Sequence, residues 1–160
     1  MQVTIEHARK VIEIVDKGLS KGLGVQEPGK MCVEAAVCAA LGLPHGDDPQ
    51  CVASSVRAFK IQLNDLGWSS NAARAVGLRR LAVAQLGSLG VVNDRDFIKL
   101  LALKTIQAIV PIALRAAANI PGNKTHKEKL EKAAIGCENA MLPAGRDALA
   151  LARVRHGFHV

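Results

Sequence analysis

The sequence predicts an all-α fold: a compact single-domain bundle of six or seven helices, joined by short turns, over residues 1–160. Three observations carry this expectation. Apolar residues make up 49% of the chain but aromatics only 2%, with no Tyr, one Trp and three Phe. The core must therefore be built from Ala, Leu, Val and Ile, which suit closely packed helices better than a sheet. Apolar positions also recur at three- and four-residue spacing, and glycine and proline punctuate the chain at helix-length intervals. At 160 residues the chain has the size of one domain and needs no metal or disulfide simply to fold.

The elements follow in order. A first helix opens at Thr4, with Ala8, Val11, Ile12, Val15 and Leu19 on one face, and Gly18, Gly22 and Gly24 close it. Met31 to Leu41 is a second helix, apolar nearly all round, which places it in the middle of the domain. After the turn Leu43-Pro44-His45-Gly46-Asp47, Asp48 caps a third helix with Pro49 at its first position. That helix carries Val52, Val56, Phe59 and Leu63 on a stripe. Ser69 or Ser70 caps a fourth running to Gly87, and Asn93 with Asp96 opens a fifth in the manner of a capping box. Pro111 kinks or splits the fifth helix. Pro121-Gly122-Asn123 is a turn, Thr125 to about Asn139 is a charged helix, and a basic helix spans about 143–156.

Reactive side chains are densest between Cys32 and Asp65. In this stretch the chain reads Gly-Lys-Met-Cys-Val-Glu-Ala-Ala-Val-Cys at 29–38, Pro-His-Gly-Asp-Asp-Pro-Gln-Cys-Val at 44–52, Phe-Lys-Ile-Gln-Leu-Asn-Asp at 59–65 and Trp-Ser-Ser-Asn at 68–71. With these motifs it resembles an uncharacterised bacterial protein family, over about residues 25–140. The resemblance implies no particular activity. It marks the segment and supplies no mechanism.

Three chemistries are open to the segment. Cys51, third in helix three, and Cys32, in the first turn of helix two, sit where unpaired backbone N–H groups favour a thiolate. His45 with Asp47 or Asp48 would complete a base and its orienter, giving a cysteine-dependent hydrolase or transferase. Alternatively, Cys38, His45 and Cys51 are zinc ligands by type, with Asp48 as a fourth, in a zinc-stabilised binding module. Helix two rises about 1.5 Å per residue, which leaves Cys32 roughly 13 Å from its C-terminal end and makes Cys38 the better companion. No Cys-x-x-Cys or His-x-x-x-His pair supports a metal, and no cofactor is expected. In the third reading the segment is structural: Glu34, Asp48, Asn64, Asp65 and Trp68 hold it together, while the thiols fill an Ala-rich core. Glu34, alone among apolar residues, requires a partner, with Arg57 or Arg74 as candidates.

The net charge is +7, unevenly placed. Lys and Arg number 5 against 7 Asp and Glu in residues 1–50, 5 against 1 in 51–92 and 11 against 6 in 93–160. Arg74, Arg79 and Arg80 on helix four, Lys124, Lys127, Lys129 and Lys132 on the sixth, and Arg146, Arg153, Arg155, His156 and His159 at the end could meet phosphates or an acidic protein face. The lack of an aromatic platform speaks against a single-strand binder. A moderate net charge also serves solubility alone.

No apolar run approaches the ~20 residues that cross a bilayer, and the mixed N-terminus is not a signal peptide. Four cysteines without a secretion signal read as reduced thiols in a cytoplasmic protein. The expectation is thus a non-enzymatic helical protein that binds an acidic macromolecular partner, protein surface or nucleic acid, and no membrane. A small phage or mobile-element accessory protein fits this profile. The oligomeric state stays open.

Overall fold

The computed structural model describes residues 2–141, and these are all-α, as the sequence predicts. Among them lie α1 (Ile5–Val15), α2 (Val33–Ala40), α3 (Ser54–Asn64), α4 (Asn71–Ala84), α5 (Asp94–Ala108), α6 (Val110–Ala118), a 3-10 helix (Pro121–His126) and α7 (Lys127–Glu138). They gather into two compact units, Met1–Asp94 and the chain from Arg95 onward. The basic helix expected at about 143–156, with Arg146, Arg153 and Arg155, lies outside the described residues.

In the first unit, α2 packs against α1, α3 and α4. Seven of its eight residues are buried, because a helix apolar on every side can satisfy itself only at the centre. Val11, Val15 and Leu19 meet Val33, Val37 and Leu41 from one direction, and Leu78 and Ala82 of α4 join the same cluster. The core is built from small and aliphatic side chains, as the composition requires. The single Trp68 lies at its edge, anchored by an indole N–H that donates to the Leu63 carbonyl at 2.8 Å. Gly77 of α4 leaves room for the ring, since a Cβ there would collide with Trp68.

Local capping accounts for three of the helix starts. Thr4 caps α1 through a reciprocal pair: its hydroxyl accepts from the His7 N–H at 3.3 Å, and His7 Nδ1 accepts from the Thr4 N–H at 3.2 Å. Cys32 caps α2, its sulfur accepting from the Ala35 N–H at 3.3 Å. Ser70, rather than Ser69, caps α4, its hydroxyl accepting from the Ala73 N–H at 3.0 Å.

The start of α3 departs from the sequence expectation. Asp48 does not cap it: the helix begins at Ser54, with Ala53 at the cap position and no side-chain bond from that residue. Residues 49–53 instead turn Cys51 and Val52 into the core, with Gln50 at a positive φ of 53°. Asp48 accepts from the Gln50 N–H at 3.4 Å and pairs with Arg57 at 3.1 Å. The missing cap comes from a distant residue. Asp94 accepts from the Ser55 N–H at 3.0 Å and from the hydroxyls of Ser54 and Ser55 at 2.8 and 2.5 Å. These bonds hold its carboxyl below the usual carboxylate range.

In the second unit, α6 and α7 form the principal packing pair, buried at Pro111, Ala118 and Ala134. Arg115 locks them together, donating to Glu131 at 2.9 Å and to both carboxylate oxygens of Glu138 at 2.5 and 3.0 Å. Pro111 splits the long helix as expected. The break falls at Ile109, and the proline takes a place in the first turn of α6, where its absent donor matters least. By length and composition the stretch Asp94–Ala118 is apolar enough to cross a membrane, although Lys99, Lys104 and Arg115 interrupt its runs of apolar residues.

Candidate functional site

A buried ion pair lies at the centre of the first unit. Glu34 of α2 and Lys60 of α3 are 0% and 1% exposed, with Lys60 Nζ at 3.3 Å from Glu34 Oε1. The two are held by charge at short range rather than by an aligned hydrogen bond. Gln85, just past α4 and also buried, donates from Nε2 to Glu34 Oε2 at 3.0 Å. Burial pushes the Glu34 carboxyl up, opposed by the Lys60 charge. Burial likewise pulls the Lys60 ammonium down to about 8, opposed by Glu34. Both shifts lean toward the neutral forms, because removal from water penalises each charge.

The sequence correctly required a partner for Glu34, but neither Arg57 nor Arg74 fills that role. Lys60 lies four residues before the buried Asn64, on the face of α3 that meets α2, a face that the sequence stripe of Val56, Phe59 and Leu63 did not single out. Gln85 carried no signal of its role either.

Beside this pair a cleft of about 120 Å³ opens between the start of α2 and the end of α3. Cys32, Glu34, Asp47, Asn64 and Asp65 line it, so part of the segment singled out in the sequence meets here, without Cys38, His45, Asp48 or Cys51. The convergence is largely structural. Asn64 Oδ1 accepts from the Val33 N–H at 3.2 Å, and its Nδ2 donates to the Ser20 carbonyl at 3.0 Å and to Asp65 Oδ1 at 2.9 Å. Asp65 Oδ1 also accepts from the Gly22 N–H at 2.8 Å. The bonds from Asn64 and Gly22 hold the Asp65 carboxyl below its ordinary range. Asn64 and Asp65 thus tie the start of α2 and the loop at residues 20–22 to the end of α3.

The cysteine and histidine candidates are separated. Cys32 lines this cleft, whereas Cys51 lines another, of about 380 Å³, with Val3, Gln50, Gly87 and Leu89. Cys32, Cys38 and Cys51 are buried. Desolvation pushes the Cys32 thiol up, and raises Cys38 to about 12. Cys51 does not stand at a helix N-terminus, since α3 begins three residues later. His45 uses Nε2 to donate to the Gly24 carbonyl at 3.2 Å, a bond that ties down the glycine loop. Among the described residues no three His, Cys, Asp or Glu side chains are grouped so as to hold a metal ion, so Cys38, His45 and Cys51 are not gathered as ligands.

The basic candidates divide by role. Arg74 is buried, donating to the carbonyls of Asn64 at 2.8 Å and Leu19 at 3.1 Å and to Asn71 Oδ1 at 2.6 Å. It staples the ends of neighbouring elements and faces no partner. Arg79 is engaged by both carboxylate oxygens of Asp16, at 2.7 and 3.0 Å. Arg80, Lys124, Lys127, Lys129 and Lys132 are exposed. Met1–Asp94 carries ten Lys and Arg against nine Asp and Glu, and the chain from Arg95 onward eleven against five. The basic excess therefore lies with the second unit.

Compared with family models, curated proteins and solved structures, the chain matches none.

Proposed function

We propose that this chain is a non-enzymatic helical protein that binds an acidic macromolecular partner through the basic turn and helix of its second unit. The observation that carries this reading is the basic excess at residues 124–132, where four lysines stand against Glu128 and Glu131. Lys124, Lys127, Lys129 and Lys132 are exposed, while Glu131 shares Arg115 with Glu138. An array of exposed lysines facing water binds polyanions by releasing their counterions. The first unit supports a scaffold role, because Arg74 donates to internal carbonyls, Arg79 is paired with Asp16, and the thiols of Cys32, Cys38 and Cys51 are buried.

Fluorescence anisotropy with a labelled DNA duplex, and competition by poly-glutamate, tests this reading across a range of salt. Four phosphate contacts predict a slope of log affinity against log salt of about −3 to −4. The quadruple variant K124Q/K127Q/K129Q/K132Q should abolish most of the affinity, and Arg79→Gln should leave it nearly unchanged. Binding to poly-glutamate but not to DNA would assign the surface to a partner that is not a nucleic acid. Absence of binding to either polyanion at low salt overturns the reading.

A further inference from the structure

Among the described residues α5 has no buried side chain, and one of its exposed faces continues into α6. Ile98, Thr105 and Ile112 stand seven residues apart, and Ala102, Ile109 and Ala116 repeat the same interval four residues on; all six are exposed. Spacings of four and three in alternation form the a and d register of a coiled coil, a seam narrower than the face of an ordinary surface helix. The face runs continuously from α5 into α6, because the Ile109 N–H donates to the Thr105 carbonyl at 2.9 Å and the Ala113 N–H to the Ile109 carbonyl at 3.2 Å. Only 6% of the most apolar window of this stretch is buried.

Ile98, Ile109 and Ile112 are 56%, 59% and 66% exposed, and the flanking Ile106 40%. Those isoleucines alone leave on the order of 400 Å² of surface in water, within the range of the largest apolar patch on a typical monomer, which is often functional. That is about half of the ~800 Å² each partner contributes to a standard interface, with the alanines and Thr105 still to add.

We propose that α5 and α6 dock on the same helices of a second copy of this chain, pairing through the seam of Ile98, Ala102, Thr105, Ile109, Ile112 and Ala116. A heptad register favours this occupant, since an isologous contact needs one surface complementary to itself, and alanine at two seam positions lets two such helices approach closely. Insertion into a bilayer is disfavoured by α7. Arg115 binds Glu131 and Glu138, so α6 would carry the charged α7 with it.

Sedimentation equilibrium of the full chain, from micromolar to high micromolar concentration, tests the pairing. The wild type should shift from the 16.9 kDa monomer toward twice that mass. Ile109→Glu, with far-UV circular dichroism confirming helicity, should weaken association at least tenfold. Ile112→Lys serves as the second variant should Ile109→Glu not fold. Val76→Glu, at a position 76% exposed on α4, should associate like the wild type. A wild type that stays monomeric throughout overturns the proposal. So does association that survives both seam variants, or a monomer that instead binds neutral lipid vesicles through this face.

Discussion

Replacing Lys60 by Met should destabilise the first unit in a manner that depends on pH, and the size of the effect follows from the burial of its partner. Glu34 and Lys60 are 0% and 1% exposed and 3.3 Å apart. At an effective dielectric of ~20 their attraction is of the order of 5 kcal/mol, a gross figure set against a desolvation cost of several kcal/mol per ion. The pair as a whole therefore contributes little net stability, but removing one member strands the other. A stranded Glu34 has an escape, which is to take up a proton.

Protonation at pH 7, from an ordinary carboxyl pKa of 4.5, costs about 3.4 kcal/mol at 1.36 kcal/mol per unit, and at pH 5 only about 0.7 kcal/mol. The direction follows from linkage. A carboxyl whose folded pKa is raised makes the native state bind more protons than the unfolded one. Its unfavourable contribution therefore grows as pH rises above 4.5 and fades as pH falls back toward it. Lys60→Met should accordingly be less stable than K60M/E34Q by about 3 kcal/mol at pH 7, and by less than about 1 kcal/mol at pH 5. Gln at position 34 keeps an acceptor for Gln85, and the comparison cancels every other titrating group. Urea unfolding followed at 222 nm at pH 5, 6 and 7 measures the difference. A gap between the two variants that is independent of pH would refute the claim that Glu34 is buried and unpaired once Lys60 is gone.

Two further outcomes follow from the packing. Gly77→Ala forces a methyl against the Trp68 ring, at about 1–3 kcal/mol for overpacking against the ~1 kcal/mol that alanine gains in a helix. The sole tryptophan should then move outward, and unchanged emission from Trp68 would show that the ring does not rest on α4. Native-state titration with a coloured thiol reagent at pH 8 should find Cys137 reacting ahead of the buried Cys32, Cys38 and Cys51. Fast reaction at Cys32 or Cys51 would reopen cysteine chemistry.

Much of this protein is determined by local sequence. An aromatic-poor, Ala- and Val-rich composition allows only closely packed helices, and the all-round apolar pattern of α2 places it centrally before any contact is known. Thr4 and Ser70 start helices by bonding backbone donors three residues away, and Pro111 interrupts one because it lacks a donor of its own. The need of Glu34 for a partner is legible too, because burial of a carboxylate is costly wherever it occurs.

What tertiary structure alone decided are the interactions between residues far apart in the chain. Asp48-Pro49 looks like a helix start, yet α3 waits until Ser54, because burying Cys51 and Val52 outweighs local capping and Asp94, forty residues on, supplies the acceptors. Arg74 looks like a surface cation but is drawn inward by three oxygens from Leu19, Asn64 and Asn71. The choice of Lys60 over two arginines for Glu34 likewise depends on which face of α3 meets α2. Periodicity shows that a face exists, and only the packed fold shows what it meets.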